Sequence, residues 1–217
     1  MKLIYGRIKR FFKTSNMPET QQQAPEPKKE TVKELKQKFD LTVHEEDLRQ
    51  AQAKRVEQAR AMDLLEQRAD LQTLVPGIDM KAFDRCVGTD YIHQLDAMSN
   101  LKIGLLAAQR DFGSGLSAAG VTTLNRYLNQ NMLDEVQQIA FDFQMLEHRM
   151  DVEKVPLALR EKVTSLALDF NRVSITPNAA APFETGGVVP AYVRTLTRVA
   201  VTGPEGIVLS ETYLPEK

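Results

Sequence analysis

The stretch that decides the fold is LDEVQQIAFDFQMLEHRM, residues 133–150. Val136, Ile139, Phe143, Leu146 and Met150 recur at steps of three and four, which places them on one face of an α-helix. Pro156 suits the first turn of a second helix, because its missing N–H is unused there. That helix carries Leu159, Val163, Leu166, Phe170 and Val173 at the same steps. Two adjacent helices, each with one apolar face, bury those faces against other helices.

Working outward toward the N-terminus, the same logic repeats. Thr89 or Asp90 opens a helix running to about Arg110, with Leu95, Met98, Leu101, Leu105 and Ala108 on one face. Asp79 caps a shorter helix closed by Gly88. Residues 112–115, FGSG, read as a loop, and residues 116–131 as a weaker helix. Upstream of Pro76-Gly77 lies a long polar helix. Residues 30–39 suit a short charged helix, and Thr42-Val43-His44-Glu45 has the capping-box spacing of a firmer start. Leu48, Ala51, Val56, Ala59, Met62, Leu65 and Ala69 mark a narrow stripe that Arg55 and Gln58 interrupt. The stripe predicts a long helix lying on a body or on neighbours, not a stable two-stranded coiled coil.

Beyond Thr176 the pattern changes. TPNAAAPFETGGVVP reads as an irregular, extended segment. From Tyr192 to Thr202 side chains alternate, with Val193, Thr195, Thr197, Val199 and Val201 on one face and Tyr192, Arg194, Leu196, Arg198 and Ala200 on the other. Gly203-Pro204-Glu205-Gly206 makes a turn, and Ile207 to Leu214 is a second strand. An isolated two-stranded hairpin is marginal in water, so this one is expected to pack on the bundle or join a sheet in another chain.

At the other end, residues 1–13, MKLIYGRIKRFFK, hold five basic residues and no acid. Ile4, Ile8, Phe11 and Phe12 would share a helix face, although Gly6 weakens such a helix by ~1 kcal/mol. Residues 14–29 have three prolines and no apolar period, and read as a linker reaching roughly 50 Å at most. The expected architecture is therefore mainly α. A disordered or extended basic arm and linker (1–29) lead to a long helix (30–75), a helical bundle (78–175), and an extended segment with a β-hairpin (176–217).

Composition narrows the function classes. The chain has 217 residues, 28 basic and 29 acidic, for a formal net charge of −1, so global charge favours no partner class. One cysteine, Cys86, excludes an intramolecular disulfide and a secreted disulfide scaffold. A cytoplasmic or virion location fits. No run of apolar residues has the length of a transmembrane helix.

The chemistry-bearing residues are few. Cys86 and His93, with Asp84 and Asp90 nearby, suggest a nucleophile pair only if a helix ignores Gly88; a structural cysteine and a surface histidine are the simpler reading. His148 has no second histidine at metal-ligand spacing, and His44 sits in a helix first turn. Glu45, Glu46 and Asp47 suit the positive end of a helix dipole. The Phe112–Gly120 run is neither a dinucleotide fingerprint nor a P-loop, since no Lys-Ser/Thr follows its last glycine. No catalytic residue, metal ligand or cofactor is expected.

The expected sites are contact surfaces. In the arm they are Lys2, Ile4, Tyr5, Arg7, Ile8, Lys9, Arg10, Phe11, Phe12 and Lys13; in the hairpin, Tyr192, Arg194 and Arg198. The arm suits docking into a neighbouring subunit, gripping nucleic acid through phosphates and stacking, or lying on an anionic membrane. A solvated tail, or a basic presequence, is the plainer alternative. The sequence thus predicts a non-catalytic structural or assembly subunit, such as a virion or head–tail connector component, contacting copies of itself or other subunits. The alternative is a peripheral membrane or nucleic-acid-binding adaptor acting through residues 1–13.

Overall fold

The computed structural model describes residues 31–183 and 192–215; residues 1–30, which hold the arm and linker, 184–191 and 216–217 lie outside them. The chain divides into two units, Met1–Ala51 and Gln52–Lys217. Helix α1, Val32–Leu74, runs through both. In the first unit, every described residue is exposed.

Helix α1 is one continuous helix of 43 residues, roughly 65 Å at 1.5 Å per residue. It begins ten residues before the expected box at Thr42. Thr31-Val-Lys-Glu34 has the same spacing, and the Thr31 N–H donates to the Glu34 carboxylate at 2.9 Å. The bond holds the Glu34 carboxyl below its ordinary range. With no Gly or Pro between the two boxes, the earlier one wins. Thr42 sits inside the helix, where its hydroxyl donates to the Phe39 carbonyl at 2.7 Å.

The second unit is built around the helices. Helix α2 spans Met80–Val87, α3 Tyr91–Phe112, α4 Ala118–Asn129, α5 Leu133–Val152 and α6 Leu157–Leu168. The caps are the ones the sequence offers. Asp79 accepts from the Lys81 and Ala82 N–H groups, and Asp90 from that of His93. Pro156 is the residue before α6 rather than its first. Ser117 caps α4 by accepting from the Gly120 N–H at 2.9 Å, and its hydroxyl donates to Asp169 at 2.6 Å.

The core joins Leu71 of α1 to Phe83, Leu101, Tyr127, Phe143, Phe170 and the sheet. Phe170 sits edge-on to Phe143 at 5.8 Å and to Tyr127 at 6.2 Å. Burial pushes the Tyr127 phenol up to about 12, and its hydroxyl has no protein partner. Two glycines set the closeness of the packing. A Cβ on Gly104 of α3 would lie 2.3 Å from the Ala140 carbonyl oxygen of α5, and one on Gly120 of α4 2.2 Å from that of Leu168.

The three-stranded antiparallel sheet has the order β1-β2-β3, with β1 Arg172–Phe183, β2 Tyr192–Thr202 and β3 Val208–Leu214. The β2–β3 hairpin is the one read from the sequence, with Gly206 at φ +72° in its turn. Strand β1 corrects two expectations. The helix expected to carry Phe170 and Val173 ends at Leu168. Phe170 takes φ +60°, which turns its ring toward Phe143, and the Asn171 side-chain amide donates to the Leu166 carbonyl at 2.9 Å. Val173 is then a buried strand residue. The segment expected to be irregular from Thr176 continues as strand to Phe183. Its register shifts between Thr176 and Ala179, a bulge holding Pro177 and Asn178 (φ +57°). An edge strand tolerates proline and a bulge because one side needs no ladder bonds. Strand β2 does not bury one face alone: Val199, Ala200 and Val201 are all buried in succession.

Gly104→Ala is expected to destabilise the fold by about 1–3 kcal/mol, because the obstructing atom is backbone and cannot turn aside. Gly115→Ala, in open space, is the control and should leave the melting temperature nearly unchanged. Thermal unfolding of both checks this; an unshifted Gly104→Ala would contradict the close crossing.

Candidate interaction surfaces

The body-facing side of α1 is tied down near its C-terminal end. Tyr91 donates to Asp63 at 2.7 Å, with the Arg60 guanidinium 5.2 Å over its ring. Lys102 donates to Gln67 at 2.9 Å and to Asp70 at 2.7 Å, and Arg68 donates to Asp84 at 2.9 Å. Leu71 is fully buried.

The rest of the helix is open. Every residue from 31 to 62 is exposed, and among them Val32, Leu35, Phe39, Leu41, Val43 and Leu48 are large and apolar. Two stripes run along it. Val32, Leu35, Phe39 and Val43 follow one another at steps of three, four and four. Within the second unit, Met62 and Leu65 mark a second stripe, roughly a third to half a turn from the buried Leu71. This second stripe stays exposed even where the other side of the helix is packed: Leu65 is 61% exposed.

The ten expected arm residues lie outside the described residues. The three hairpin residues fall together on β2. Tyr192 pairs with Phe183, Arg194 with Ala181, and Arg198 with Thr176 on one side and Tyr213 on the other. Arg194 is exposed. Arg198 is held within its own sheet, its Nε donating to Glu211 at 2.6 Å while the Tyr213 hydroxyl donates to the same oxygen at 2.7 Å. Tyr213 first, then Arg198, holds the Glu211 carboxyl below its ordinary range.

The other candidates have structural partners. The Cys86 thiol donates to the Leu128 carbonyl at 3.0 Å, and burial pushes its pKa up, away from thiolate chemistry. His93 lies 3.3 Å from Asp90, in the first turn of α3. The Phe112–Gly120 run spans the end of α3, the connection 113–117 and the first turn of α4, with Gly113 at φ +71°. A groove of about 510 Å³ lies between α3, α5 and α6, lined by Phe112, Met150, Leu157 and Leu168. Its Arg160 guanidinium donates to the carbonyls of Met150 and Val155 at 2.8 Å and pairs with Asp151. Among the described residues, no group of His, Cys, Asp and Glu is arranged to hold a metal, and no helix is long and apolar enough to cross a membrane.

A polar cluster, which the sequence reading did not single out, lies near the meeting of α5 and the sheet. Asp142 is buried, accepts from Gln138 at 3.1 Å and lies 3.6 Å from Arg149. Nearby, Arg172 of β1 reaches Glu135 at 3.4 Å. Its one sequence signal is an acid next to Phe143 on the apolar face of α5.

No family model, curated protein or solved structure matches this chain.

Burial raises the Asp142 carboxyl above its ordinary range, more than Gln138 and Arg149 lower it. A raised folded value means the group's contribution to stability is fully present below the unfolded Asp pKa of about 3.9 and is lost as pH rises through the folded value. Asp142→Asn keeps an acceptor for Gln138 and cannot ionise. Its stability relative to wild type is therefore expected to rise as pH increases from about 3 to 7, read by denaturant unfolding at each pH. The opposite trend would mean that the Arg149 pair outweighs burial.

Proposed function

We propose that the protein is a non-catalytic structural or assembly subunit of a large multi-subunit complex, of the kind found in virions and head–tail connectors. Its partners are copies of itself or other subunits. The observation that carries this reading is α1. A helix owes most of its stability in a protein to the packing of an apolar face. Here the stretch from 31 to 62 has every residue exposed and large apolar side chains along it. An apolar surface repeated along a helix is the geometry of a contact with another helix or groove. The basic, aromatic arm at residues 1–13 supplies a second contact of different chemistry.

Deleting residues 1–13 is expected to abolish higher-order assembly while leaving the circular dichroism and melting of the body unchanged. Size-exclusion chromatography with light scattering reads the first, against a chain mass of 24.4 kDa. A full-length chain that remains at that mass contradicts the assembly reading. Assembly that survives the deletion removes the arm from it and passes the arm to an anionic membrane or nucleic acid.

A further inference from the structure

We propose that residues 1–13 of one copy dock in the groove between α3, α5 and α6 of a second copy, with Ile4, Ile8, Phe11 and Phe12 against its apolar lining. This names the site that receives the basic arm, and it rests on the assembly reading.

Three observations carry it. The first is the groove itself, of about 510 Å³, built wholly from the second unit. Its apolar lining is Phe112 at the end of α3, Met150 of α5, and Leu157 and Leu168 at the two ends of α6. Leu157 is 73% exposed, so apolar surface stands in water here. A space of this size takes the few large side chains by which an amphipathic segment anchors in a groove.

The second is the charge of its lining. Glu147 of α5 and Glu161 of α6 are both exposed and both line the groove. The bases beside them are already engaged. Arg160 pairs with Asp151 and donates to two backbone carbonyls, and Arg110, which feels the Glu147 charge, pairs with Asp111. The two carboxylates therefore leave the lining negative. The groove of similar size beside the last turns of α1, about 480 Å³, differs in this respect: its one acid, Asp70, is paired with Lys102 at 2.7 Å.

The third is the chemistry of the occupant. An acid-lined apolar groove suits a segment that interleaves bases with large apolar residues. Outside the described residues, 184–191 hold one acid and no base, and 14–30 hold three prolines and no aromatic residue. Residues 1–13 hold five bases, no acid, and Ile4, Ile8, Phe11 and Phe12 at the spacing of one helix face. At that spacing Arg7 and Lys9 fall on the two flanks of the face, just as Glu147 and Glu161 stand on different helices of the groove. Exposed ion pairs contribute little by themselves and are screened by salt, so the charges select the segment while the apolar contacts supply the attraction. An arm seated in the next copy's groove is a head-to-tail contact. Its repetition builds a ring or a filament, which is what an assembly subunit requires.

The test uses the full-length chain with Thr14→Cys in a Cys86→Ser background. The serine keeps a donor toward the Leu128 carbonyl that the thiol now serves, and Thr14 lies just beyond the arm, which stays intact. A diazirine is attached at the new cysteine, and the chain is mixed with an equal amount of isotopically heavy wild-type chain. After irradiation, mass spectrometry maps the cross-linked peptides. The proposal predicts cross-links to heavy peptides that cover residues 147–168, in tenfold or greater excess over those to the β2–β3 hairpin. A heavy partner carrying Glu147→Lys and Glu161→Lys, shown to be folded by circular dichroism, should lower that yield about threefold or more, as the loss of two exposed ion pairs implies. A yield that does not fall overturns the proposal. Cross-links confined within the labelled chain, or to heavy peptides elsewhere, also overturn it, but leave the assembly reading standing if light scattering still records multimers. Full-length chain that is monomeric by light scattering overturns both.

Discussion

The body is organised by the crossing of α3 and α5. Gly104 lies so close to the Ala140 carbonyl that even a methyl group would collide with main chain. That approach brings Leu101 and Leu105 of α3 against the Val136, Ile139, Phe143 face of α5, and the remaining elements dress this pair. The last turns of α1 and the short α2 add Leu71, Ala82 and Phe83 to the same core. Helix α6 ends where Phe170 turns its ring onto Phe143, and that same turn launches β1. A shift of α5 would therefore move the α6 turn and the sheet together, because tightly packed interiors transmit displacement rather than absorb it.

Helix α1 obeys a different constraint. Its last turns are fixed by Leu71 and by hydrogen bonds from Tyr91, Lys102 and Arg68, whereas the stretch before Asp63 has its apolar side chains in water. Helix formers such as Ala, Gln, Glu, Lys and Arg fill that stretch, so local propensity supports the helix. Propensity does not account for the large apolar side chains that stand exposed along it. The assembly reading proposed above would give these apolar positions a partner surface.

The helices were legible because two independent signals agree in them, the three-and-four recurrence of apolar residues and the caps at Asp79 and Asp90. Misreadings arose where one signal had two solutions. Thr31 and Thr42 both begin a capping box, and only continuity of helix formers favours the first. Phe170 and Val173 continue the helical period of α6, yet Phe170 is drawn out of the helix by an aromatic contact distant in sequence. Strand β1 was hidden by Pro177 and Pro182, which exclude a central strand but not an edge. The site was legible in part. The apolar marks on α1 stand in the sequence, but which of them the body covers depends on tertiary packing. Arg198, expected at a contact surface, is instead held by Glu211 of the adjoining hairpin strand, because the hairpin was legible but its register, which sets who faces whom, was not.

Amide hydrogen exchange along α1, measured on the full chain across a range of concentrations, tests the central claim most directly. The account predicts that protection of residues 41–62 rises with concentration, while that of the α3–α5 core stays constant. Exchange at residues 41–62 that is independent of concentration, with or without protection, would contradict the claim that this helix is a contact surface for another copy of the chain.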